Sequence, residues 1–114
     1  MLCFSIAPSR PVIMQLSGNS TTREKNEKTL DCVAFGYPPP ELAWFKNGVK
    51  LQRCEGNCKD THYQQSATYK AGNRSESSVT IKEITFSDDG LYKCEAVNTN
   101  GKAQAISRLT VYSE

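Results

Sequence analysis

Apolar residues recur at every second position in several short runs of this chain. Over residues 28–35, Leu30, Cys32 and Ala34 stand at alternate positions and face inward. That is the period of a strand with one buried face. Residues 41–46 repeat it, with Leu42 and Trp44 facing inward and Ala43 and Phe45 outward. Residues 78–82 turn Val79 and Ile81 inward, and Ile84 caps the core. Residues 91–98 and 103–112 complete the set, the latter with Leu109 and Val111 inward. Residues 12–16 form an earlier strand, preceded by Pro8 and Pro11; prolines suit an edge that cannot pair continuously. Residues 17–26 are polar and loop-like, with room for a short second edge strand. Residues 61–69 can hold a strand, but their alternation is weak. No segment shows the period of a helix.

The breaks between these runs are equally legible. Gly36-Tyr37-Pro38-Pro39-Pro40 ends one strand. Asn47-Gly48 is a two-residue hairpin signal, returning along residues 49–51. Residues 52–60 read as loop, residues 71–74 as a turn, and residues 98–101 as a hairpin loop. Short strands at this spacing, with turns between them, predict an all-β sandwich of two sheets.

One run carries more information than any other: Asp88-Asp89-Gly90-Leu91-Tyr92-Lys93-Cys94. A chain entering a strand here must turn a corner. Gly90 supplies backbone freedom, and Asp88 has an acceptor for local amides. Tyr92 and Cys94 share strand parity, so both point into the core. A buried tyrosine hydroxyl needs a partner, and the corner backbone is within its reach. Upstream, Cys32 is followed about a dozen residues later by Trp44. Cysteine, tryptophan and cysteine in this order, with a tyrosine two residues before the second cysteine, have the spacing of an immunoglobulin sandwich.

The chain resembles the intermediate set of immunoglobulin domains. The resemblance rests on Leu30 and Cys32; on Gly36, Pro38, Pro40, Leu42, Trp44, Lys46 and Gly48 at alternate positions; and on Val79 and Ile81. It continues through Asp88, Gly90, Tyr92, Cys94, Ala96 and Asn98, then Gly101, Leu109 and Val111. It covers roughly residues 8–112 and implies an immunoglobulin-like two-sheet antiparallel sandwich with an inter-sheet disulfide Cys32–Cys94 lying beneath Trp44. On that reading residues 8–114 are a single I-set domain, and residues 1–7 are an N-terminal extension or linker. The resemblance implies a non-enzymatic module with no cofactor. Such domains occur in adhesion, guidance and receptor proteins and in giant muscle proteins. The muscle members usually lack a functional disulfide.

Five cysteines in 114 residues point to an oxidising compartment. Cys54 and Cys58 make a second close pair, absent from the plain family pattern, and Cys3 is left over. Cys54, Cys58 and His62 also fall at four-residue intervals, which on a helix would suggest zinc. Gly56 and Asn57 between them disfavour that helix. A local Cys54–Cys58 bridge is the expectation, with pairing to Cys3 or another chain as the alternative. Its loop is short, so replacing both by serine is expected to lower the melting temperature only slightly. Loss of folding, or zinc retained on metal analysis, would overturn that expectation.

Asn19-Ser20-Thr21 and Asn73-Arg74-Ser75 match the N-glycosylation acceptor pattern, so an extracellular or cell-surface location is expected. No stretch approaches the roughly 20 apolar residues needed to span a bilayer. The formal charge of +2 is too small to argue for nucleic acid. Lys46, Lys50, Arg53 and Lys59 form the nearest thing to a basic cluster, a solvated edge or a glycosaminoglycan contact. The single histidine, His62, lies beside the two cysteines, and no nucleophile–base arrangement is expected there.

Strand parity turns Phe45, Val97 and Ile106 outward on one sheet, bordered by Lys93, Glu95 and Arg108. If contiguous, they form a face for a protein partner or for self-association. Two functions follow. One is an extracellular interaction module of an adhesion, guidance or receptor protein. The other is a structural spacer in a matrix or intracellular filament protein.

Overall fold

A computed structural model describes residues 7–52 and 62–113. The chain forms ten strands among the described residues. They are β1 (Ser9–Leu16), β2 (Ser20–Arg23), β3 (Lys28–Tyr37), β4 (Glu41–Lys46) and β5 (Val49–Lys50), then β6 (Tyr63–Gln65), β7 (Tyr69–Ala71), β8 (Arg74–Ile81), β9 (Gly90–Asn98) and β10 (Gly101–Tyr112). A 3-10 turn, Phe86–Asp88, precedes β9.

One sheet runs β1-β3-β8-β6, with β7 also on β8; the other runs β2-β10-β9-β4-β5. Their inner faces meet in a core of Leu30, Cys32, Ala34, Leu42, Trp44, Val79, Ile81, Ile84, Tyr92, Cys94, Ala96, Leu109 and Val111. The disulfide Cys32–Cys94 joins β3 to β9 across that core. Trp44 is fully buried beside it. Its indole N–H donates to Ser77 Oγ of the facing sheet at 3.1 Å, so burial leaves no polar atom of the ring unmet.

Asn47 and Gly48 take φ of +48° and +84°, which a two-residue turn between β4 and β5 requires. Several boundaries differ from those expected, β8 starting at Arg74 and β10 at Gly101 among them, and others have a local cause. Gly36 does not end β3, which runs on to Tyr37. A Cβ at Gly36 would lie 3.1 Å from Pro11 Cα, so its smallness lets β1 pass close by. The pairing of β1 with β3 slips between Ser9 and Val12, where Pro11 has no N–H to give the ladder. The segment expected as one strand over 61–69 is two short strands with a break at 66–68. Side chains take up backbone groups there: Ser66 keeps its N–H on the Ser78 carbonyl at 2.8 Å while its Oγ accepts from Ser78 N–H at 3.0 Å, and Thr68 Oγ1 accepts from Leu42 N–H of β4 at 3.1 Å. The polar stretch after residue 17 holds the short second edge strand for which the sequence left room. β2 lies parallel to β10, the one parallel pairing in otherwise antiparallel described sheets.

Candidate binding face

The outer face of the β2-β10-β9-β4-β5 sheet carries the outward residues singled out from the sequence. Register decides which of them meet. Phe45 on β4 lies opposite Lys93 on β9, and Lys93 opposite Ile106 on β10. Lys50 on β5 lies opposite Phe45. One row therefore crosses four strands as Lys50, Phe45, Lys93 and Ile106. The Lys93 ammonium sits 4.4 Å from the centroid of the Phe45 ring, a cation–π contact that leaves the ring half-buried. Ile106 is 55% exposed. β10 keeps its register along the whole of β9, so no bulge turns Ile106 inward.

Val97 does not join this row. It pairs with Glu41 and Lys102, and the row Ala43, Glu95 and Gln104 intervenes. Phe45, Val97 and Ile106 thus share a face without forming one continuous apolar patch. Leu91 is the neighbour that parity alone undervalued. It is 44% exposed and lies opposite Arg108, one row beyond Ile106. Arg108 is exposed, and its Nη2 holds Asp89 Oδ1 at 3.0 Å. The other Asp89 oxygen accepts from Val111 N–H at 2.9 Å. Arg108 is therefore braced along the edge of the face.

The basic cluster has a different arrangement. Lys46 gives its ammonium to the Ser87 carbonyl, while Lys50 is exposed. Arg53 and Lys59 lie outside the described residues, as do Cys3, Cys54 and Cys58. His62 is described, and its surroundings were not foreseeable from its spacing. Its Nε2 lies 2.8 and 2.9 Å from the two oxygens of Asp88. Asp88 is 1% exposed and also accepts from Tyr63 Oη at 2.5 Å and Thr85 N–H at 2.9 Å. Burial pushes this carboxyl up. The bonds from Tyr63, Thr85 and His62 outweigh that effect and hold it below the ordinary value of 3.8. At the same corner, Tyr92 Oη donates to the Asp88 carbonyl at 2.7 Å. A Cβ on Gly90 would meet Asn47 Oδ1 at 2.6 Å, so close packing of the hairpin also requires glycine there. Among the described residues no cluster of three His, Cys, Asp or Glu is placed to hold a metal, and no helix is long and apolar enough to cross a membrane.

A two-sheet sandwich stapled through Cys32–Cys94 and closed by the Tyr92 corner defines an immunoglobulin-like domain. The immunoglobulin I-set domain model matches residues 11–111, and the chain belongs to that family. Vascular endothelial growth factor receptor 1 of Rattus norvegicus is 32% identical over 101 residues, which are 89% of this chain and 7% of that protein. A titin homolog of Caenorhabditis elegans is 34% identical over 93 residues, which are 82% of this chain and a share of that protein that rounds to 0%. A solved structure of the N-terminal eight Ig domains of Down Syndrome Cell Adhesion Molecule superimposes with a TM-score of 0.79 at 31% identity, covering 92% of this chain and 13% of that one. The chain thus spans a small fraction of the proteins it resembles, which include both a receptor and a titin homolog.

Proposed function

We propose that this domain is a non-catalytic extracellular interaction module of a cell-surface adhesion, guidance or receptor protein. It engages a protein partner through the row Phe45, Lys93 and Ile106. The observation that carries this reading is that row itself, three residues in register on three strands. Leu91 and Arg108 extend it by one step. The row offers an aromatic ring, the apolar stem and charge of a lysine, and a branched aliphatic side chain. Lys50 and Lys93 flank the ring, so an apolar protrusion with an acidic rim complements it. A second copy of this chain is the homophilic alternative, with Glu95 in the next row available as the acidic group. The inter-sheet disulfide and the two glycosylation tripeptides favour the extracellular side. The likeness to a titin homolog supports the second reading, a structural spacer domain, which would need no such face.

Phe45→Ala and Ile106→Asp are each expected to weaken partner binding by about 1–3 kcal/mol. Both should leave the fold intact, because neither side chain lies in the core. The measurement is binding to an array of cell-surface ectodomains, with self-association followed by sedimentation. Lys82→Ala, exposed at the end of the opposite sheet, is the control. Loss of binding by the control alone, or no effect of either face variant on a partner that binds, would sink the proposal.

A further inference from the structure

The tripeptide Asn19-Ser20-Thr21 is remote in sequence from β4, β9 and the start of β10, and by sequence alone a sugar there would leave the face uncovered. The fold brings it back. β2 pairs with β10 so that Ser20 lies opposite Leu109 and Thr21 opposite Thr110. One step earlier, Asn19 Oδ1 accepts from Arg108 N–H at 2.8 Å. Parity follows the same register. Thr22, Leu109 and Val111 are buried, while Asn19, Thr21, Arg108 and Thr110 are exposed. Asn19, just before β2, therefore sits beside Arg108 at the end of the row that holds Leu91. The adjacent row holds Ile106, Lys93 and Phe45. Neighbouring strands lie about 4.8 Å apart and alternate residues about 6.8 Å apart, which puts Ile106 on the order of 8 Å from Asn19.

We propose that Asn19 is a glycosylation site whose oligosaccharide covers the Arg108–Ile106 end of the face and limits which partners reach it. The inference rests on the extracellular reading above. In the reaction, Asn19 Nδ2 attacks the anomeric carbon of a lipid-pyrophosphate-linked oligosaccharide. A C–N bond forms, the C–O bond to pyrophosphate breaks, Nδ2 gives up one proton, and the lipid pyrophosphate leaves. Oδ1 takes no part, so the bond from Arg108 N–H survives the modification. The folded edge then carries the sugar without losing its contact with β10. Asn73 differs in consequence. It is exposed in the turn between β7 and β8, on the opposite sheet. A sugar there leaves the Phe45–Ile106 row open. The two acceptor tripeptides are thus unequal: one bounds the candidate face and the other does not.

The test uses the chain secreted from a glycosylating eukaryotic cell. Peptide mass mapping reports occupancy at Asn19 and Asn73. Thr21→Ala removes the acceptor pattern but keeps Asn19 and its bond to Arg108. Hydroxyl radicals then probe the surface, with Tyr69, exposed on the opposite sheet, as the reference. The expected result is an occupied Asn19, with labelling of Ile106 and Leu91 reduced relative to Thr21→Ala and Tyr69 unchanged. If Thr21→Ala fails to fold, wild-type protein freed of sugar by an amidase supplies the comparison. An unoccupied Asn19 in the secreted protein, or equal labelling of Ile106 with and without the sugar, overturns the inference. Neither readout involves a partner, so it fails separately from the binding proposal.

Discussion

Replacing Cys32 and Cys94 together by alanine is expected to cost about 2–5 kcal/mol of folding stability. Both cysteines are fully buried, one in each sheet, and close a loop of sequence separation 62. The bridge restricts the unfolded chain most where the loop is long, and this loop takes in Trp44, β8 and the corner before β9. The two sulfurs also fill space beside Trp44, so their removal leaves a void as well as a freer unfolded state. The measurement is the midpoint of denaturant unfolding for the double variant against wild type, both kept oxidised. A loss below about 1 kcal/mol would mean that hydrophobic packing alone holds the sheets together. Free thiols at both positions in secreted protein would remove the main support for the extracellular reading.

Asp88→Asn is expected to cost about 1.5–3 kcal/mol near neutral pH, the scale of hydrogen bonds to a charged group. The wild-type carboxylate accepts from Tyr63, Thr85 and His62 at a nearly sealed position. An asparagine amide has only one acceptor oxygen and turns donors towards donors. The effect also has a pH signature. The folded carboxyl titrates below its ordinary value of 3.8. Its contribution is therefore complete above that value and is lost as pH falls through the folded value. The stability gap between wild type and Asp88→Asn should be wide from neutral pH down to about pH 4 and narrow in stronger acid. Chemical denaturation across that range decides it. A gap that persists unchanged in strong acid would show that Asp88 acts through shape and not through charge.

The reach of the sequence can be judged from particular strands. Leu30, Cys32 and Ala34, or Tyr92, Cys94 and Ala96, face one way because a half-buried strand has period two. That period is written within each strand and needs no partner to be seen. Pairing across strands is not written there. Nothing in residues 91–98 says that Lys93, and not Val97, stands between Phe45 and Ile106. β2 was harder still, since its polar residues take their alternation from a parallel neighbour about ninety positions away. That is why the expected three-residue patch resolves into a row with Val97 outside it, and why Asn19 is found on the same sheet. The break at residues 66–68 was hidden for another reason: Ser66 and Thr68 bond backbone through their side chains, which a hydrophobic period does not register. A buried carboxylate 26 positions later holds the ring of His62, a contact that its spacing from Cys54 and Cys58 does not reveal.

The bridge between β3 and β9 has a mechanical consequence. Under tension applied at the two ends, the chain between Cys32 and Cys94 cannot pay out while the bridge is intact. Only the segments before residue 32 and after residue 94 lengthen. A separation of 62 residues corresponds to about 200 Å of extended chain held in reserve. Oxidised, the domain is a short tether that yields little length under load; reduced, it becomes a longer spring.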